Sequence, residues 1–111
     1  MNIGGNLKAI IQISMTEKNA IGETVQSWKD VQTIRGWLDL MSGDSGYNSY
    51  SAKIQESTHI FIADFVPLAK GIQAENSRMT INGKHYDILL IDNPMELNEQ
   101  LEIYLKYTGG Q

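Results

Sequence analysis

The sequence predicts a mainly β protein: a small antiparallel β-barrel of about six strands, with one short helix or loop insertion after the third strand. Three observations carry this. Apolar and polar residues alternate over several stretches, which is the period of a half-buried strand. The pair Asn82-Gly83 separates two such runs, and Asn-Gly is the preferred two-residue hairpin turn because both positions take positive φ. The connections are short, and closing the sheet removes the edges that an open sheet would expose.

The first strand starts at Leu7, where Leu7, Ala9, Ile11, Ile13 and Met15 alternate with Lys8, Gln12, Ser14 and Thr16. A polar connection, Glu17 to Gly22, leads to a second strand over Thr24–Val31. Ile34, Gly36, Leu38 and Leu40 alternate with Arg35, Trp37, Asp39 and Met41 as a third, with Gly36 marking a bulge or a tight barrel bend. In Ser42–Gln55, Tyr47, Tyr50 and Ile54 fall at helical spacing, so a short helix is expected from about Asp44, loosened at its start by Gly43 and Gly46. Thr58–Ala63 is apolar on both faces and needs cover on both sides. Val66–Asn76 reads as a loop. The hairpin then has its register set by the turn: Ile81 faces Lys84, Thr80 faces His85, Met79 faces Tyr86 and Arg78 faces Asp87. Ile88–Ile91 is again apolar on both faces. Asn93-Pro94-Met95-Glu96 has the form of one helical turn, with Asn as cap, Pro first and Glu closing the box. Leu101, Ile103, Leu105 and Tyr107 form the last strand, and 109–111 a flexible tail. All of this fits in a single domain, 1–111.

The 111 residues include 9 basic and 13 acidic side chains, for a formal charge of −4. Residues 1–55 are balanced, with five of each sign, so the whole excess lies in residues 56–111 and one end of the molecule is expected to be acidic. Acidity disfavours a dedicated nucleic-acid binder. No cysteine is present, which excludes disulfides, cysteine-ligated zinc, iron–sulfur clusters and thiol catalysis, and fits a reducing compartment. No apolar run approaches the roughly 18 residues of a membrane span.

Catalytic patterns are weak. Gly43-Asp44-Ser45-Gly46 resembles the nucleophile motif of trypsin-like serine proteases. Those enzymes order their triad His, Asp, Ser, whereas His59 and His85 both follow Ser45, so the motif reads as a turn. The two histidines, 26 residues apart, lack ligand spacing; His59 reads as a packed or interface side chain and His85 as exposed. No phosphate loop or dinucleotide fingerprint occurs. Carboxylates at Asp87 and Asp92, or Glu96, Glu99 and Glu102, read as a solvated face. Trp28 and Trp37 read as core anchors. No enzyme, no metal and no cofactor is expected.

Taken in order, several of these segments resemble the head-closure (stopper, or head–tail joining) proteins of long-tailed bacteriophages. The resemblance runs from about Gly5 to Gly110. It is carried by the first strand, Leu7–Ile13; by Trp28-x-Asp30-Val31 and Ile34-Arg35-Gly36-Trp37-Leu38-Asp39; and by Ser42-Gly43. Further along it is carried by Glu56-Ser57-Thr58-His59-Ile60, by Arg78-x-x-x-Asn82-Gly83-Lys84-x-Tyr86-Asp87-Ile88, by Ile91-Asp92-Asn93-Pro94 and by Leu101-Glu102-Ile103. No single piece is specific; their order and spacing are. The resemblance implies a virion protein at the head–tail junction, made in the host bacterial cytoplasm. It implies a ring, dodecameric in the relatives, below the portal or adaptor ring and above the tail-completion or tail protein. Such a ring keeps packaged double-stranded DNA in the head, touching it only in the channel and without sequence preference, with no membrane involved.

By position, the channel-closing segment is Met41–Glu56, with Ser42, Gly43, Asp44, Ser45, Gly46, Tyr47, Asn48, Tyr50 and Lys53 on the gate. His59, Phe61, Phe65, Val66 and Leu68 are expected at subunit and ring interfaces. The doubly apolar strands suit ring contacts, and an acidic wall keeps DNA from sticking. Two other readings stand beside this one. A tail-completion protein would sit at the same junction. An OB-like barrel would bind nucleic acid by stacking on Trp28, Trp37 and Tyr86.

Overall fold

The computed structural model describes residues 7–41 and 56–109. Six antiparallel strands close into one barrel in the order β1-β2-β3-β6-β5-β4. They are β1 (Leu7–Lys18), β2 (Thr24–Leu40), β3 (His59–Asp64), β4 (Ser77–Ile81), β5 (Lys84–Asp92) and β6 (Gln100–Tyr107). Alternation puts Ala9, Ile11, Ile34, Phe61, Ala63, Met79, Ile81, Tyr86, Ile88, Ile103 and Leu105 inside. Each large apolar side chain so buried stabilises the fold by roughly 1.5–3 kcal/mol. The Asn-Gly turn forms as expected, with φ of 52° at Asn82 and 79° at Gly83. All four expected cross-strand pairs, from Ile81↔Lys84 to Arg78↔Asp87, are present.

The second and third strands expected from sequence are one 17-residue strand, β2. The cause is a β-bulge: Ile11 pairs with Gln32 and Gln12 with Asp30, which leaves Val31 as an extra residue. A bulge shifts the period of two by one, so core-side positions pass from odd numbers (Val31) to even ones (Ile34, Gly36) and the run reads as two strands. The insertion therefore follows the second strand of the fold. A second bulge, at Leu89, lies between the pairs Ile88↔Leu105 and Leu90↔Tyr104. It explains the doubly apolar look of Ile88–Ile91 within one chain: Ile88 faces the core below the bulge and Ile91 above it.

Gly36 is the barrel bend. A Cβ there would lie 2.3 Å from the Ile62 carbonyl oxygen and 2.8 Å from the Phe61 ring, so β3 crosses β2 too closely for any side chain. The 94–96 turn forms with Pro94 leading, but the capping box does not. The Asn93 side chain instead spans to Asn98, accepting its N–H (3.1 Å) and donating to its Oδ1 (2.7 Å). Met95, Glu96 and Asn98 all take positive φ.

β1 and β2 continue past the barrel. β1 pairs with β4 only from Ala9 to Ile13, while its pairing with β2 runs on to Lys18↔Thr24. Residues 14–27 thus form a two-stranded arm, and the molecule measures 50 × 28 × 25 Å.

Candidate functional site at the mouth of the barrel

β2 ends and β3 begins side by side at one end of the barrel, with Leu40 paired to His59. The Met41 N–H donates to the Thr58 carbonyl (2.9 Å), and the Thr58 N–H donates to the Leu105 carbonyl (2.8 Å). These bonds hold together the two points where the 42–55 segment leaves and rejoins the barrel. The gate residues Ser42, Gly43, Asp44, Ser45, Gly46, Tyr47, Asn48, Tyr50 and Lys53, and the helix expected there, lie outside the described residues.

Thr58 is the hinge pin of this mouth. Its Oγ1 accepts the Tyr107 N–H (2.8 Å) and is hydrogen-bonded to Nδ1 of His59, 2.8 Å away. The His59 ring packs edge-on to Tyr86 (5.2 Å between centroids) and Tyr107 (6.4 Å), and the two tyrosines stack at 5.2 Å. Three rings thereby plug the barrel from inside. Burial, and then the nearby Lys84 ammonium, pull the His59 pKa below the usual histidine value, which favours the neutral ring. Burial, and then Tyr107, raise the Tyr86 pKa.

The other expected interface residues are spread out. Phe61 is fully buried in the barrel's own core, so it is corrected from an interface residue to a core residue; alternation on β3 turns it inward. Val66 and Leu68 are half-buried against that same core, and Phe65 is tied by its N–H to the Glu99 carbonyl (3.2 Å). Gln32 holds this loop down, donating to the Pro67 carbonyl (3.1 Å) and accepting the Ala69 N–H (2.6 Å).

Sequence reasoning missed a polar network on the outer face. Gln12 Oε1 accepts from Arg78 Nε (2.7 Å) and Thr80 Oγ1 (3.1 Å), and Gln12 Nε2 donates to Asp30 (2.7 Å). Since the Thr80 hydroxyl donates to Gln12, His85 Nδ1–H donates to Thr80 (2.9 Å). His85 is therefore half-buried and bonded where exposure was expected, and burial, then Arg78, lower its pKa. The Arg78 guanidinium lies 4.2 Å over the Trp28 ring. Trp28 is half-buried and Trp37 is 47% exposed, so neither anchors the core. Tyr86 is in the core and one face of Trp28 is taken by Arg78, which removes two of the three proposed stacking platforms. Among the described residues, no three metal-ligating side chains converge and no helix is long and apolar enough to cross a membrane.

No protein-family model and no curated protein matches the chain. Among solved structures, it is similar to the solution structure of protein SF1141 from Shigella flexneri 2a, with a TM-score of 0.68, 22% identity and full coverage of both chains. That likeness concerns the fold.

Proposed function

We propose that this chain is a structural head–tail junction protein of a long-tailed bacteriophage. Copies form a ring below the portal or adaptor, close the DNA exit channel after packaging, and present a docking surface to the tail. The observation that carries the reading is the placement of the resembling segments. Trp28-x-Asp30-Val31 falls on the first bulge, Gly36 on the barrel bend, and Thr58-His59 on the mouth that brackets residues 42–55. The Asn82-Gly83 turn joins β4 to β5. The role of Met41–Glu56 as the closing segment, and of a dodecameric ring as its frame, comes with the resemblance. The formal charge of −4 per copy supports a conduit that repels phosphate.

The test is DNA retention. Phage heads packaged without this protein are expected to fill and then leak. Added protein is expected to restore both retention and tail attachment. Heads that stay full without it would remove the stopper role and leave a tail-side joint.

A further inference from the structure

The arm formed by residues 14–27 has one face that mixes apolar and polar side chains and one that is polar throughout. Opposed residues share a face, so the pairs Met15↔Ser27 and Glu17↔Val25 lie on the side that Ile13 and Ile11 continue from the core. On that side Met15 is 43% and Val25 38% exposed, and Ile21 at the tip is 77% exposed. The other side carries Ser14, Thr16, Lys18, Thr24 and Gln26. A lone two-stranded ribbon is marginal in water. This one looks like a piece of sheet whose second layer is missing. The outer edge of β1 from Ser14 to Lys18 also lacks a strand neighbour among the described residues, because β4 stops at Ile13.

The same chain carries a matching acceptor. β4 leaves β5 at Asp87, so among the described residues Ile88–Asp92 is paired on one side only, to β6. That five-residue edge equals the five-residue edge of the arm in length. Beside it, against the 74–76 turn, runs a cavity of about 470 Å³ whose lining includes Leu68, Ile72, Leu89 and Ile91 together with the polar Gln73 and Glu75. Towards the arm root, Asp87 and Glu75 line a neighbouring cavity. Lys18 is the single charge on the arm's polar face.

We infer that the arm of one copy docks on a second copy, adding a strand to the Ile88–Asp92 edge. Strand addition continues both faces of a sheet. Met15 and Val25 are then covered on the side of Leu68, Ile72 and Ile91, while Lys18 lies on the side of Asp87. Arm and acceptor are different surfaces, so the contact is head-to-tail and propagates into a ring or a filament. The inference rests on the ring-forming reading in its choice of partner, a second copy.

The chain has no cysteine, so introduced thiols cross-link without background. Met15→Cys and Leu89→Cys variants, each checked for an unchanged far-UV spectrum, are mixed at high concentration and oxidised. Disulfide dimers are expected in the mixture and in neither variant alone, with a ladder of longer species from the double variant. Dimers of Met15→Cys alone would show an arm–arm contact and overturn the inference. So would the absence of any adduct in the mixture. Adducts together with heads that retain DNA without the protein would leave this contact standing and remove the stopper reading.

Discussion

Gly36 and Gln12 show how much one residue decides in a barrel this small. Gly36 lies in neither turn nor tail but in the wall, where the chain of β3 passes over it and the Ile62 carbonyl occupies the space of a Cβ. Gly36→Ala must push backbone aside, so a loss of about 1–3 kcal/mol in urea unfolding is expected, as for other overpacked sites. A Gly22→Ala change has a different cause: nothing lies within 4 Å there, and the cost comes from its φ of 86°. Gly36→Ala as stable as the parent would mean that β2 and β3 do not cross this closely. Gln12 works by hydrogen bonding: one amide on β1 bonds Arg78 and Thr80 of β4 and Asp30 of β2. Its sequence context shows only a polar residue in an alternating strand.

At the scale of elements, the two bulges do the shaping. Each adds one residue to one strand and so reverses which parity faces the core. Deleting Val31 brings Asp30 and Gln32 next to each other, opposite Gln12 and Ile11, so every other side chain of β2 keeps its side of the sheet. What is lost is the packing of Val31 against the core and the extra twist that a bulge supplies. The deletion variant is therefore expected to keep cooperative thermal unfolding by circular dichroism, at a lower midpoint than the parent. A non-cooperative deletion variant would show that closing the barrel requires the bulge itself. The Asn82-Gly83 hairpin is the opposite kind of element: its register is decided by two residues and needs no help from the rest of the barrel.

At the scale of the whole molecule, stability is tied to pH through the two histidines. Burial lowers both pKa values in the folded state relative to the ordinary 6.5. Below pH 6.5 the unfolded chain therefore binds more protons than the folded one, and stability falls as pH drops through that range. Above 6.5 both states are neutral at these sites and the contribution is fully present. The denaturation midpoint is expected to drop between pH 7.5 and pH 5.5. A His59→Gln, His85→Gln double variant should show a smaller drop. An equal drop in the double variant would assign the pH dependence to other groups.

The sequence by itself determined the β class, the core-facing residues of the first and last strands, and the complete register of the 78–87 hairpin. These are local: alternation needs only neighbouring residues, and an Asn-Gly turn sets its own geometry. It also marked Gly36, by pattern, as a bulge or a barrel bend. Only the tertiary structure decided that β2 is one bulged strand, that Phe61 points into its own core, that His59 caps the barrel with Tyr86 and Tyr107, and that Trp28 lies under Arg78. It alone revealed the projecting arm. Each of these depends on which strand closes against which, and on where a neighbour stops. Partners distant along the chain set both, so no window of adjacent residues contains them.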